Sequence, residues 1–452
     1  MLNRRRFLQS IAAAATTPVI APACAATQAA QANLVSDPRK IFDLPPGFSY
    51  TVVSEFGTEM SDGLQMPGRH DGMAAFDGEE GRIRLVCNHE IQPEDIYYNS
   101  LRDRFPALPE ETRAKYYDRG GDRTPGLGGT TTSIYNPATG ETERQFLSLG
   151  GTELDCAGGP TPWGSWLSCE ECFEWAGDVE YFGKPAARRD QRHGYVFEVP
   201  AAADELVQAV PIRGMGRFEH EACAVDETTG IVYMTEDRYH SLFYRYVPEK
   251  PGDLLAGGKL QALVVDKRPS LATHNWTATP SMRIAEPLSA HWIDFDDPDP
   301  LDDTLRDNGE RRGAATFARG EGLCVAGDRF AFTCTIGGPD RLGQIFTYKQ
   351  TSADAGELEL IAESQRDSLL RNADNLTMAP WGDLIVCEDT SGHCGLVGIR
   401  PDGSQYAIGD NAHSSSEMAG VCFSPDGETL FVNIQHPGMT IAITGNWKSL
   451  QT

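Results

Sequence analysis

Acids recur at the two ends of short apolar hairpins in this chain. The clearest unit reads His220-Glu221-Ala-Cys-Ala-Val, then Asp226-Glu-Thr-Thr-Gly230, then Ile231-Val-Tyr-Met-Thr-Glu236-Asp237. Two alternating apolar runs around a Gly- and Asp-containing turn specify a β-hairpin, whose two ends lie side by side. The acids before the first strand and after the second therefore meet. One unit is an acidic edge; several units about an axis make a ring of carboxylates, and such rings hold hard cations. One residue in this set is not an acid. Cys156 stands at a strand start, in Leu154-Asp-Cys156-Ala-Gly-Gly-Pro. Neighbouring negative charge disfavours a thiolate, whereas coordination to a transition metal deprotonates the thiol outright. Cys156 is thus a metal ligand, another buried cysteine or a partner for Cys169.

The elements that must position these residues repeat. Six hairpins start at Asp71, Cys156, Glu221, Glu321, Asp374 and Glu417; their second strands run into Asn88-His-Glu90, Glu170-Glu171, Glu236-Asp237, Cys334-Thr335, Glu388-Asp389 and Asn433-Ile-Gln435. Second hairpins are expected from Thr131–Tyr135 with Glu143–Leu147, Gly194–Glu198 with Val207–Ile212, Leu242–Val247 with Leu260–Val265, Gln344–Tyr348 with Leu358–Ala362, and Gly395–Ile399 with Ser404–Ala407. Two hairpins make a four-stranded blade. The sixth unit has only Thr440–Thr444 left, and Ser49–Val53 supplies its missing strand, which closes the ring. The expected fold is all-β, a six-bladed β-propeller with small helical or loop insertions on the rim. An irregular β-sandwich or a pair of β-domains is the alternative. The inserts are residues 93–121, where Leu108–Tyr117 carries helix-start signals, and the polar stretch 294–312, expected to be a surface loop.

The start of the chain indicates its compartment. Asn3-Arg4-Arg5-Arg6-Phe7-Leu8, a short apolar segment and small residues near Ala26 read as a twin-arginine export signal over residues 1–26. Residues 27–452 then form one propeller domain, exported folded to the periplasm or beyond, with the export machinery as a partner. The apolar run is too short to span a membrane stably. The net charge of −26 argues against nucleic acid and anionic membrane as partners. A monomer is expected. Most cysteines, including Cys87, Cys223, Cys324 and Cys422, lie in apolar runs and read as buried thiols. Cys169 and Cys172 form a Cys-x-x-Cys without a second pair at zinc spacing, and Cys387 could pair with Cys394.

Longer strings resemble those of the PhoX-type alkaline phosphatases. They are Cys87-Asn-His-Glu90, Asp155-Cys-Ala-Gly-Gly-Pro-Thr-Pro-Trp-Gly-Ser-Trp-Leu-Ser-Cys-Glu-Glu171, Gly216-Arg-Phe-Glu-His-Glu221, Phe317-Ala-Arg319-Gly-Glu321-Gly322, Asp374-Asn-Leu376 with Cys387-Glu-Asp389, and Phe423-Ser-Pro-Asp-Gly427 with Phe431-Val-Asn-Ile-Gln435. The resemblance spans nearly the whole chain from about Asp43. The long Cys156–Glu171 string is highly specific, whereas Ser-Pro-Asp-Gly is common in propellers. The fourth hairpin departs by ending in Cys334-Thr335, without an acid.

The resemblance implies a six-bladed propeller with an axial cluster of Fe3+ and Ca2+ ions bridged by an oxo group. Cys156 is the matching thiolate. Glu90, Glu171, Glu221, Asp237, Glu321, Asn375, Glu388 and Asp389 are the implied further metal ligands, with Glu219 and Glu236 as secondary candidates. Arg319 is the implied phosphate contact and Asn88 a second one. The expected activity is hydrolysis of phosphomonoesters, with diesters secondary. A phosphate dianion needs cations to enter an acidic pocket, and an arginine fork suits its oxygens. Two other functions fit a propeller with axial acids: a calcium-dependent hydrolase of lactones or phosphotriesters, which needs no thiolate, and a non-catalytic calcium-binding scaffold.

Overall fold

A computed structural model describes residues 34–93, 95–101, 104–181 and 184–451. The export signal expected over residues 1–26 lies outside them. The regular structure of the described chain is almost entirely strands in antiparallel meanders, with a few short helical turns. His70–Asp77, Ile83–His89, Gly128–Asn136 and Glu141–Thr152 form one sheet in that order. Asp155–Pro160, Ser165–Glu170 and Val196–Pro200 form the next. Its expected fourth strand shrinks to one bridge, Phe197 with Pro211, in line with the missing N–H of proline.

A nine-stranded sheet follows, and it contains two meanders. One begins with His220–Val225 and the other with Gly320–Ala326; Leu288–Asp294 pairs with the outer strand of each and joins them. That joining strand has no counterpart in the hairpin pattern. Ala373–Met378 leads the next sheet and Met418–Phe423 the last. Ser49–Glu55 completes the last sheet against Met439–Thr444, from Ser49 opposite Thr444 to Glu55 opposite Met439.

The six leading strands contact one another in chain order, and the last returns to His70–Asp77. The result is a propeller-like ring of inner strands around an axis. Close approach requires small residues there: a Cβ on Gly72 would sit 2.5 Å from Ala157 Cα, and one on Gly322 2.6 Å from Asn375 Cα. Outward from the ring, apolar faces of adjacent sheets meet. Phe243 stacks on Phe332 at 4.5 Å between the two meanders of the large sheet.

The described residues of 93–121 hold short turns, the helical turn Glu110–Arg113 and the start of a second, kinked one at Gly120–Arg123. The stretch 294–312 is not simply a loop. It contains the helix Leu305–Arg311, anchored by buried Leu305 and by Arg306, which bonds Glu236 at 2.7 Å and Asp303 at 2.5 Å. No helix among the described residues is long and apolar enough to cross a membrane. The described cysteines are all thiols, so Cys387 and Cys394 are not bridged. Cys169 Sγ lies 3.3 Å from Cys223 Sγ, and neither Cys156 nor Cys172 is bridged to it.

Candidate metal centre

Every inner strand carries a β-bulge, at the same place in five and one residue later in the sixth. His70 pairs with His89 and Met73 with Cys87, so three steps on the inner strand oppose two on its neighbour. The same offset follows Asp155, His220, Gly320 and Ala373, and comes after Ala419 in the last strand. A bulge bends its strand and re-aims the side chains inside it. The first residues inside it are Asp71, Cys156, Glu221, Glu321 and Asp374, and the equivalent sixth position is Ala419, which still pairs with Asn433.

A second set lies one residue past each partner strand. The N–H of Glu90, Glu171, Asp237, Thr335, Asp389 and Gln435 donates to the carbonyl of Arg69, Leu154, Glu219, Arg319, Asn372 and Glu417 respectively. One backbone device, repeated on each inner strand, thus presents two rungs of side chains to the same end of the axis.

The rungs converge. Asp71, Glu90 and Cys156 offer ligand atoms within 4.8 Å of one another; so do Cys156, Glu171 and Glu221, and so do Glu221, Glu321 and Asp374. The chain of groups shares Cys156 and Glu221. Glu221 is fully buried, and neither of its carboxylate oxygens has a hydrogen-bond partner; Asp71 Oδ1 is likewise buried and unpaired. Burial, followed by the neighbouring carboxylates, pushes the acids of Glu221, Glu171, Asp71 and Asp374 well above the usual range. Glu321 is also raised by burial and by Asp237, against the opposing pull of Arg319. Glu90 is pushed up to about 7 by burial. Burial raises the Cys156 thiol, and Asp71 and Glu221 raise it further. Protons or cations must relieve such crowding. A cage with unpaired carboxylate oxygens and one thiol suits cations, so the donor set fits a metal centre.

Supporting groups set the acids. Gln435 Nε2 donates to Asp71 at 3.2 Å and to Glu90 at 2.5 Å. The Thr335 hydroxyl donates to Glu321 at 2.8 Å, which is how the acid-free fourth hairpin takes part. Arg319 binds Asp237 through Nε and Nη2 at 2.8 and 2.7 Å, and its Nη2 lies 3.0 Å from Glu321. Glu321, then Asp237, hold this guanidinium firmly charged against the cost of burial. Asn375 bridges strands, accepting the Gly420 N–H at 2.8 Å and donating to Asp374 at 3.0 Å.

Several expected roles change. Asn88 is not placed to touch a substrate: it is fully buried and its amide is engaged on both sides. It donates to the carbonyls of Cys156 and Ala157 at 3.1 and 2.7 Å and accepts from Trp166 at 2.8 Å. It therefore fixes the backbone that carries the thiol. Glu388 is the last ladder residue of its strand, and its carboxylate accepts the N–H of Arg371 at 2.9 Å and of Gly395 at 3.2 Å. Glu236, in the same register, accepts from Leu242 and Arg306; Glu219 pairs with Arg238. These three acids serve backbone and arginines. Asp389, one residue on, is the member of that hairpin at the axial rung. Asp71, Asp374 and Glu417 belong to the cluster although the motif strings did not assign them. Glu417 too is raised by burial and by Asp389 and Asp374. Their signal was positional, since Asp71 and Asp374 hold the register of Cys156 and Glu221.

A propeller-like ring with a carboxylate-and-thiol cage at one end of its axis defines the class: a β-propeller with an axial site able to bind metal. The particular family follows from a family model, alkaline phosphatase PhoX, which matches residues 30–438. The chain belongs to the PhoX family and is a phosphatase. Among solved structures, it is similar to Pseudomonas fluorescens PhoX in complex with vanadate, a transition-state analogue, with a TM-score of 0.66 and 18% identity over 90% of this chain and 96% of that one. A gluconolactonase from Xanthomonas campestris aligns over 89% of this chain and 99% of that one at 12% identity, with a TM-score of only 0.41. No curated protein matches the chain.

Proposed function

We propose that the chain is a six-bladed propeller phosphatase acting on phosphomonoesters, with diesters secondary, at a calcium- and iron-loaded axial centre outside the cytoplasm. One observation supports this reading above the others. In a chain of the PhoX family, Glu221 buries both carboxylate oxygens without a partner, within 4.8 Å of ligand atoms from Cys156, Glu171, Glu321 and Asp374 in two overlapping groups. Carboxylates suit calcium, and the single thiolate suits a softer transition ion such as ferric iron. When bound, the cations would reverse the sign of the pocket, polarise a phosphoryl group and activate an oxygen nucleophile.

The protein's own residues supply the rest. Asn88 fixes the Cys156 backbone, Gln435 spaces Asp71 from Glu90, and Thr335 orients Glu321. Arg319 holds its charge in place through Asp237 and Glu321 and leaves Nη1 without a hydrogen bond among the described residues, available to a phosphate oxygen. Location outside the cytoplasm rests on the twin-arginine pattern of residues 3–8. The test is elemental analysis of protein made with its export signal, combined with rates on an aryl phosphate before and after chelation. Iron and calcium with a rate lost on chelation and restored by calcium are expected. Full activity in protein shown to be free of both metals would refute the reading.

A further inference from the structure

Arg69 occupies the same register as Arg319. Both precede an inner strand, both have a left-handed backbone with φ of 52° and 54°, and both accept the N–H of the residue past the partner strand. Around the ring their strands are three places apart in either direction, so the two arginines stand on opposite sides of the acids. Their restraints differ. Arg319 is locked to Asp237 and Glu321. Arg69 bonds Asp95 at 2.9 Å and reaches Gln435 only at 3.5 Å, while its Nε is shielded from solvent and has no partner.

A pocket of about 450 Å³ opens beside Arg69. Arg69, Ser415 and His436 help to form its walls, and it shares Glu90, Glu417 and Gln435 with the acidic centre. Every residue that lines it is polar. Its volume suits a small ligand, but it lacks the apolar wall that an aryl or alkyl group would need. Its charge also selects. Arg69 is the one lysine or arginine that lines it, and Asp95 already pairs with that guanidinium at 2.9 Å, so a second anionic group finds no unpaired cationic side chain there. Hydroxyls fit better, since each can both accept from Arg69 or a serine and donate to a carboxylate.

We infer that this pocket receives the alcohol part of the ester and selects a neutral, polyhydroxylated leaving group of the glycerol or sugar type, with Arg69 as the specificity-determining residue. The inference rests on the phosphatase reading of the neighbouring centre.

The test compares kcat/KM on glycerol 2-phosphate and p-nitrophenyl phosphate, in metal-loaded protein, for wild type, Arg69→Ala and Ser415→Trp. Loss of one or two hydrogen bonds to the alcohol predicts that Arg69→Ala lowers the glycerol-to-aryl ratio about tenfold. Ser415→Trp fills the pocket from an exposed loop position and lowers the same ratio without removing an internal contact. A ratio unchanged by both variants, or equal losses on both esters, overturns the inference and leaves the phosphatase reading intact. A larger loss on a sugar bisphosphate than on glycerol 2-phosphate would assign the pocket to a second anion and also overturns it. Hydrolysis of neither ester by wild type would overturn the phosphatase reading, and this inference with it.

Discussion

Glu221→Gln should change the sign of its effect on stability with cation occupancy. The side chain keeps its shape and loses one charge. In the cation-free protein, Glu221 has two buried unpaired oxygens and neighbours that raise its acid well above the usual range. Leaving it ionised costs several kcal/mol, and keeping it protonated costs a smaller but real penalty at neutral pH. A glutamine there donates to the surrounding carboxylates instead. The expected gain is about 1–3 kcal/mol. In a chain of this length, with an unfolding entropy of about 2.1 cal/mol/K per residue, each kcal/mol moves Tm by about 1 °C. Tm of the stripped variant should therefore rise by about 1–3 °C. With cations present, the variant lacks one ligand. A hundredfold loss of affinity at saturating wild-type conditions removes about 2.7 kcal/mol of linkage stabilisation and lowers Tm by a similar number of degrees. Calorimetry on chelator-stripped and calcium-saturated samples reads both arms, and elemental analysis reads occupancy. Equal destabilisation in both states would show that Glu221 is a packed structural acid and would refute the cage argument.

Cys156→Ala should remove most of the bound iron and any visible thiolate-to-iron absorption while Cys223→Ala leaves both, as read by elemental analysis and absorbance. Arg319→Ala should lower kcat/KM on an aryl phosphate about 10²-fold with metal retained, and Arg319→Lys should not restore it, because a point charge cannot reproduce the fork. Asn88→Ala should cost about 2–4 kcal/mol in denaturant unfolding by orphaning buried partners, and should weaken iron retention without a selective rise in KM. His193, held between Glu170 at 2.6 Å and Asp118 at 3.2 Å, would titrate low from burial, but the two carboxylates raise it from 6.5 to about 10. That contribution is complete below pH 6.5 and lost as pH rises to about 10, so Tm should fall across this window and His193→Gln should flatten the fall.

Hairpin ends were legible because polar alternation, turn residues and terminal acids coincide. The closing pair, Ser49–Glu55 with Met439–Thr444, was legible for the same reason. What the sequence could not resolve is a single residue of register. Glu170-Glu171, Glu236-Asp237 and Glu388-Asp389 are adjacent acids, and a strand sends neighbours to opposite faces. In each pair the first ends the ladder and serves local backbone or a basic side chain, while the second reaches the axial rung. Composition is the same either way, so Glu388 read as a ligand. The bulge is equally silent in sequence, since it depends on how two strands pair. Without it, the register shared by Asp71 and Asp374 with Cys156 and Glu221 does not stand out. Asn88 shows the reverse difficulty. Its neighbours in Cys87-Asn-His-Glu90 marked the region correctly, but only the structure reveals that its amide faces Trp166 and the Cys156 backbone. The strand Leu288–Asp294 has only its two neighbours to define it, and both are distant in sequence.

The two arginines show how one repeated backbone position can be given different work. Each stands just before an inner strand, where the left-handed conformation turns the chain into the ring. On the Gly320–Ala326 side, the neighbouring hairpin presents Asp237 and Glu321 lies two residues on, so the guanidinium is held by two acids and cannot swing away. Rigid placement is what a phosphate contact requires, because the donor must already be in position when charge develops. On the His70–Asp77 side, the rung residue is Gln435, a neutral amide at 3.5 Å, and among the described residues the one ion-pair partner is Asp95 in the 93–121 insert. The guanidinium is therefore held by fewer partners than that of Arg319, and it lines an open polar pocket. A contact of this kind tolerates variation in its partner, which suits the part of the substrate that differs between esters. Exchanging Gln435 for glutamate should test this division of roles. The added carboxylate would pair with Arg69 and crowd Asp71 and Glu90. It should lower the glycerol-to-aryl ratio as Arg69→Ala does, and it should also increase the cation requirement, which Arg69→Ala should not. A Gln435→Glu variant with wild-type selectivity would show that the freedom of Arg69 is not what sets the preference.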